Sequence, residues 1–208
     1  MSDIAVFMIP VLILAAGASS RMRGRDKLAM VIDGVALLRR QAVMALEVSD
    51  DVRIALPPPP HTRYDLVRDL DVTCVTVPDA AEGMSASLRA LFATLETDGD
   101  HALILLADLP DITSSDLRTV INATETHPSA LIWRGATSSG KPGHPMIVTR
   151  DLFDDFQNLT GDTGGQSIVK KAGDAVHLVP LKDARALQDL DTPEEWADWF
   201  AARKDAAY

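Results

Sequence analysis

The stretch from Leu12 to Lys27, LILAAGASSRMRGRDK, runs an apolar segment into a turn of small residues and then into four cations, Arg21, Arg23, Arg25 and Lys27. Residue types in that order suit a phosphate group. Val11 to Ala15 read as a buried strand. Gly17 lets the main chain approach an anion and present its N–H groups, and the guanidinium and ammonium groups complement phosphate charge. Arg23 and Arg25 read equally well as a solvated loop face. The second chemical candidate is Asp108, which ends the apolar run ALILLAD and precedes Leu109 and Pro110, so the strand stops where the carboxylate emerges. A hard oxygen ligand at that place is what Mg²⁺ bridging phosphate oxygens requires. The alternative for Asp108 is a turn before Pro110 or a cap on the next helix, roles that Asp111 and Thr113 can take instead.

Charge narrows the class of partner. With 20 Lys and Arg against 30 Asp and Glu, the 208-residue chain has a formal charge of −10, yet four of the 20 cations lie in one loop. Sequence-independent binding to nucleic acid or to an anionic membrane surface is disfavoured by such a balance. A small anion is compatible with it, because a local cationic pocket works inside a negative field. The length predicts a single domain over 1–208 with a substantial core. Cys74, alone in the alternating segment VTCVTV, reads as a strand residue and suits a reducing cytoplasm, and no metal-thiolate spacing is present. Ile4 to Ala16 is almost wholly apolar and ends in a small-residue pattern resembling a leader cleavage site. Asp3 without Lys or Arg before it, Pro10 within it, and a length below the ~20 residues of a membrane span argue against a leader or a span, so a cytoplasmic protein is expected.

Short apolar runs alternating with helical patterns predict a three-layer α/β/α fold on a mostly parallel, Rossmann-like sheet. Strands are expected at 9–15, 52–56, 72–77, 102–107, 130–134, 145–149 and 175–180, and helices at 35–48, 62–70, 85–96, 114–123, 150–158, 164–172 and 193–203. Thr163 with Gln166 and Thr192 with Glu195 have capping-box spacing, and Pro193 suits a first helical position. Ligands of open sheets collect outside the carboxyl ends of the strands, where the Gly17 loop and Asp108 both fall. Gly135 to Lys141, GATSSGK, imitates a Walker loop, but Pro142 replaces its Ser or Thr, and Pro142, Gly143 and Pro145 exclude the helix that must follow. No GxGxxG follows the first strand, which removes the main support for a dinucleotide enzyme.

Six elements carry a resemblance in order along nearly the whole chain: LILAAGASSRM with DKL, GMSASL (83–88), LADLP (106–110), GHP (143–145), GDTGGQSIVKK (161–171) and DLDTPEE (189–195). Together they resemble the MobA/MocA-type nucleotidyltransferases of molybdenum cofactor maturation. The resemblance implies a nucleotidyltransferase-type sheet and transfer of a nucleoside monophosphate from an NTP to a phosphate of molybdopterin, with pyrophosphate release and Mg²⁺ as cofactor. It also implies transient contact with molybdoenzyme maturation proteins. Ala15 and Ala16 before Gly17 match the first loop of the CTP users, where the GTP users carry LAGG, so CTP is the implied donor. By matching position, Gly17 and its neighbours contact the nucleotide, Arg21 and Lys27 the triphosphate, Gly83 and Ser87 the base region, and Asp108 the Mg²⁺. Residues 9–110 become the nucleotide side and 130–195 the acceptor side.

On the acceptor side, Asp162 with Gly164 and Gly165 opens a helix. His144 reads either as catalytic or as a hydrogen-bonded structural residue. Asp189 and Asp191 read as a second metal ligand or pterin contact, or as a turn residue and a cap partner beside Thr192. The chain departs from the family pattern at Arg23, where a glycine usually stands, at Asp79 and Ala80, a place often marked by Asn, and at Leu91, which replaces a common helix glycine.

Overall fold

A strand covered on both faces is apolar at successive positions rather than at alternate ones, and VLIL and ALILL meet that condition. The computed structural model of the protein describes residues 9–95, 99–161 and 164–205. Its strands are β1 (Val11–Leu14), β2 (Val31–Ile32), β3 (Val35–Ala36), β4 (Val52–Leu56), β5 (Thr73–Thr76), β6 (His101–Leu106), β7 (Ile132–Ala136), β8 (Pro142–Thr149) and β9 (Val176–Pro180). Seven of them form one sheet in the order β5-β4-β1-β6-β8-β7-β9. β5, β4, β1 and β6 run parallel, as do β7 and β9, while β8 is antiparallel to both β6 and β7. The sheet is therefore mostly parallel, as the alternating pattern predicts.

The α-helices are α1 (Leu37–Leu46), α2 (Arg63–Val67), α3 (Met84–Phe92), α4 (Ser114–Thr126), α5 (Phe153–Gln157), α6 (Gln166–Ala172) and α7 (Pro193–Asp205). Strand alternation sorts them into two layers. Val11, Ile13, Leu103 and Leu105 pack with residues of α1, α2, α4 and α7, whereas Leu12, Ile104, Met146 and Val148 pack with α3, α5 and α6. In the second layer Phe92 stacks on Phe156 at 4.4 Å between ring centroids and meets Phe153 edge-on at 5.3 Å. Each buried phenyl ring stabilises the layer by roughly 1.5–3 kcal/mol. Trp196 and Trp199, on α7, are core residues of the first layer.

Local differences from expectation have physical causes. The helix expected from 35 begins at Leu37, because Asp33 and Gly34 adopt left-handed φ of 51° and 82° and turn β2 into β3. An Asp-Gly pair between short alternating segments is the signature of a tight hairpin. The Walker-like string is likewise a hairpin end: the Gly140 N–H donates to the Thr137 carbonyl at 2.8 Å, and β8 starts at Pro142. Thr192 and Glu195 form the predicted capping box, with Nα of Thr192 to Oε2 of Glu195 at 2.9 Å and the return bond to the threonine hydroxyl at 3.2 Å. Gly165 precedes α6 with no side-chain cap, and Thr163 lies outside the described residues, as do 96–98 at the end expected for α3. Of the apolar segment from Ile4 to Ala16, positions 9–16 are described, and no helix among the described residues is long and apolar enough to cross a membrane.

Gly143 on β8 sits under the segment Arg185–Leu187 so closely that a Cβ there would overlap the Ala186 carbonyl. Backbone yields poorly to such a clash. Gly143→Ala is expected to lose about 2–4 kcal/mol in urea unfolding, while Gly99→Ala, whose Cβ meets nothing within 4 Å, stays within about 0.5 kcal/mol. The neighbouring His144 is held neutral: burial pushes its pKa down to about 4 from 6.5, the Arg134 charge adds to the shift, and a backbone hydrogen bond at Ile104 opposes it. Between those two values the unfolded chain binds a proton that the folded chain refuses, so stability falls as pH drops from about 6.5 to 4. That contribution amounts to at most roughly 3 kcal/mol. Chemical denaturation of wild type and His144→Asn across this window should show a shallower pH slope in the variant; equal slopes would contradict a buried neutral imidazole.

Candidate active site

After β1 the chain keeps the ladder for one more residue, with the Ala15 N–H bonded to the Ala55 carbonyl at 3.1 Å, and then leaves the sheet. Ser19, Arg23 and Gly24 take left-handed φ of 51°, 52° and 84°, which coil residues 15–26 into a compact loop. One buried cation fixes its shape. Arg63 of α2, 1% exposed, donates from Nε and Nη2 to the two Asp26 carboxylate oxygens at 2.7 Å each, from Nη1 to the Ala15 carbonyl at 2.6 Å, and from Nη2 to Ser19 Oγ at 3.1 Å. Burial works against the Asp26 carboxylate, but Arg63 outweighs it and holds its pKa below the usual range. Asp26 in turn caps the turn Lys27–Ala29 by accepting from the Leu28 N–H at 2.9 Å.

That turn delivers Lys27 to Asp108. Its Nζ pairs with Oδ2 of Asp108 and, at 2.7 Å, with Oδ1 of Asp191, while Arg21 pairs with Oδ2 of Asp191. The loop after β1, the end of β6 and the segment leading into α7 thus converge on one cluster. Asp108 is not spent on capping, since Thr113 and Asp116 form the box at the start of α4. Its loop is fixed instead by Gln41 Nε2 donating to the Leu109 carbonyl at 2.9 Å and by the Leu190 N–H donating to the Asp108 carbonyl at 3.3 Å. Nor does Asp191 cap α7: Thr192 does so, leaving the Asp191 carboxylate to the cations.

The electrostatics favour a further cation. One carboxylate oxygen from each of Asp108, Asp189 and Asp191 lies within 4.8 Å of the others. Desolvation and the Asp108 charge raise the pKa of Asp189, a sign of crowded negative charge. Burial disfavours charge on Asp191 and on Lys27 alike, yet each keeps the other ionised: Lys27 and then Arg21 lower Asp191, and Asp108 and Asp191 raise Lys27. Asp108 Oδ1 is buried without a partner, which for a charged oxygen is costly unless a ligand satisfies it. Three hard oxygen donors with one such orphan atom fit a divalent ion.

A cleft of about 450 Å³ opens over the loop that carries Arg21 and Lys27, lined by Ala16, Gly17, Ser19, Arg25, His61 and Ala80 among others. A Cβ built on Gly17 meets no protein atom within 4 Å, so the fold does not demand glycine there; the free space faces the cleft. Arg25 lines it, whereas Arg23 is 74% exposed and pairs with Glu194, itself 60% exposed, at 2.6 Å. Its left-handed φ explains why glycine suits position 23. Gly83 and Ser87 are not among the residues lining this cleft: Gly83, at φ 95°, precedes α3, and Ser87 is buried within it. His144 lines a second cavity of about 210 Å³ with Met84, Leu88 and Arg134. Asp162 lies outside the described residues. Sequence reasoning missed Arg63, Gln41 and Arg134. Nothing in RYDLVRDL separates Arg63 from a solvated helix arginine, but an arginine inside the short strand IWRGA was a usable signal.

Comparison with known proteins agrees with this architecture. A family described as "MobA-like NTP transferase domain" matches residues 11–176. A "Probable molybdenum cofactor guanylyltransferase" of Synechococcus elongatus is 30% identical over 202 residues, covering 88% of this chain and 94% of the relative. The crystal structure of the Rv0371c homologue from Mycobacterium sp. strain JC1 superposes with a TM-score of 0.78 at 26% identity, covering 94% of this chain and 96% of that one. Rv0371c of Mycobacterium tuberculosis, solved in complex with manganese, shares the fold with a TM-score of 0.76 at 21% identity over 92% of this chain and 97% of its own. The chain belongs to the MobA-like NTP transferase family.

Proposed function

We propose that this protein transfers CMP from CTP to a phosphate of molybdopterin, releasing pyrophosphate, with Mg²⁺ held by Asp108, Asp189 and Asp191. The observation that carries the reading is the convergence of Lys27 and Arg21, from the Gly17 loop, on the Asp108 and Asp191 carboxylates. Residues 9–110 form the nucleotide side and 130–195 the acceptor side, where His144, Asp162 and the DxDTP carboxylates are the candidate contacts. Transient contact with molybdoenzyme maturation proteins would deliver acceptor or product.

Transfer between two phosphate groups asks little covalent chemistry of the protein and much charge neutralisation. The attacking oxygen is already ionised, so no general base is needed. The Ala15-Ala16-Gly17 turn positions the nucleotide along the cleft. Lys27 and Arg21 place positive charge against the triphosphate and the departing pyrophosphate. When bound, the metal ion neutralises phosphate oxygens and helps align them. Ala15 and Ala16 favour CTP as donor. GTP is the second reading, carried by the name of the Synechococcus relative.

The test incubates purified protein with Mg²⁺, molybdopterin and each NTP in turn while pyrophosphate is followed. CTP should outpace GTP by about tenfold or more. The reverse order replaces the donor, and no release with any NTP removes the enzymatic reading. Asp108→Asn should lower turnover by about 10²-fold or more with an unchanged melting curve; undiminished pyrophosphate release would refute the role given to Asp108.

A further inference from the structure

Arg134 occupies a position that strand pattern reserves for an aliphatic residue. On β7, Ile132 packs into the layer beneath α3, α5 and α6, and Trp133 into the opposite layer. Arg134 shares the side of Ile132. A guanidinium directed there costs several kcal/mol unless its charge is answered. The protein answers it sparingly. Nε donates to the Gly143 carbonyl at 2.8 Å, and among the described residues no carboxylate pairs with the group. Burial lowers its pKa, which registers the same missing counter-charge.

The group forms one wall of the 210 Å³ cavity. Met84, Leu88, Met146 and Val169 supply apolar wall, Gln166 an amide, and His144 an imidazole whose Nδ1 is buried without a partner. Because His144 is neutral near pH 7, Arg134 is the cavity's one formal charge among its described lining residues. Register places the cavity relative to the chemistry. Arg134 stands opposite Met146 on β8, and Met146 opposite Ile104 on β6. Ile104 precedes Asp108 by four residues, two of them past the end of β6, a span of at most about 13 Å along the chain. Met84, at the start of α3, belongs to the wall and contacts the 164–165 turn that closes it.

Resting on the transferase reading above, we propose that this cavity receives the ring system of the acceptor and that Arg134 selects acceptors bearing a negative group on that ring, distinct from the phosphate that meets the donor at the Asp108 cluster. The volume is below the roughly 300–1,000 Å³ of sites that enclose a whole drug-sized ligand, which suits one bicyclic heterocycle rather than the whole acceptor. Two methionine side chains give walls that adapt to a planar ring. A guanidinium matches the planar oxygens of carboxylate or phosphate by paired hydrogen bonds.

The intact protein is titrated with two fluorescent probes, pterin-6-carboxylate and the uncharged 6-methylpterin, as wild type, Arg134→Met and Arg134→Lys. Manganese–CTP binding is followed by calorimetry in the same preparations. Wild type should bind the carboxylate about tenfold more tightly or better. Arg134→Met should lose that preference while keeping its affinity for the neutral probe, and Arg134→Lys should fall between. Equal affinity of wild type for the two pterins, binding of neither, or parallel loss of both in Arg134→Met overturns the assignment. The first two comparisons need no variant, so a misfolded substitution leaves the test intact. Selective pterin binding without manganese–CTP binding would remove the transferase reading and with it the acceptor role, while the anion selectivity that Arg134 gives the cavity would stand.

Discussion

The Lys27 ammonium, shared between Asp108 and Asp191, is the interaction on which the site depends. It joins three parts of the chain that are far apart in sequence, beyond the ends of β1 and β6. An ion pair at intermediate burial contributes little net stability. Its significance is positional: removing Lys27 leaves three carboxylates facing one another, and removing the carboxylates leaves a desolvated amine. Each side enforces the presence of the other. The Arg63 anchor makes this possible, because it fixes the coil from Ala15 to Asp26 and thereby decides where the next residue, Lys27, emerges.

Apolar periodicity made the layers legible. The strand pattern of VLIL, VRIAL and HALILL and the box at Thr192 translate directly into observed elements, because burial on two faces and a satisfied helix end are local requirements. The hairpin at Asp33 and Gly34 was legible too, in principle, since left-handed φ at two successive positions calls for that dipeptide. What stayed hidden is long-range. That β8 runs antiparallel between β6 and β7 is a matter of long-range pairing, and no residue within PGHPMIVT encodes a direction.

Much the same division applies to the site. Gly17, Arg21, Lys27 and Asp108 stood out as residue types at strand ends, and the first and last of these segments do meet. Asp189 and Asp191 could not be separated from turn and cap residues until Thr192 was seen to cap α7 by itself. Arg63 carried no sequence signal, because a helix arginine is normally solvated, and its burial follows from a tertiary partner, Asp26, supplied by another segment. Arg23 shows the converse. Its departure from glycine is tolerated at φ 52° on the surface, at a cost of order 1 kcal/mol that the solvated Glu194 pair offsets at most in part.

An acidic protein that handles anionic substrates presents an apparent conflict, and distance resolves it. At physiological ionic strength, exposed charges beyond about 8 Å are largely screened, so the net charge of −10 matters chiefly for encounter and solubility. Inside the clefts the near groups decide. The Gly17 cleft has Arg25 on its wall, Lys27 and Arg21 pair with the Asp108 and Asp191 carboxylates, and among the described residues the second cavity holds Arg134 without a carboxylate partner. On the proposed reading, the cations that are already balanced are the ones that would meet a metal ion and a triphosphate together, since either alone would leave charge unmatched. The unbalanced one sits where an anion can bind by itself. The two arrangements suit a reaction in which the donor arrives with its counter-ion and the acceptor arrives without one.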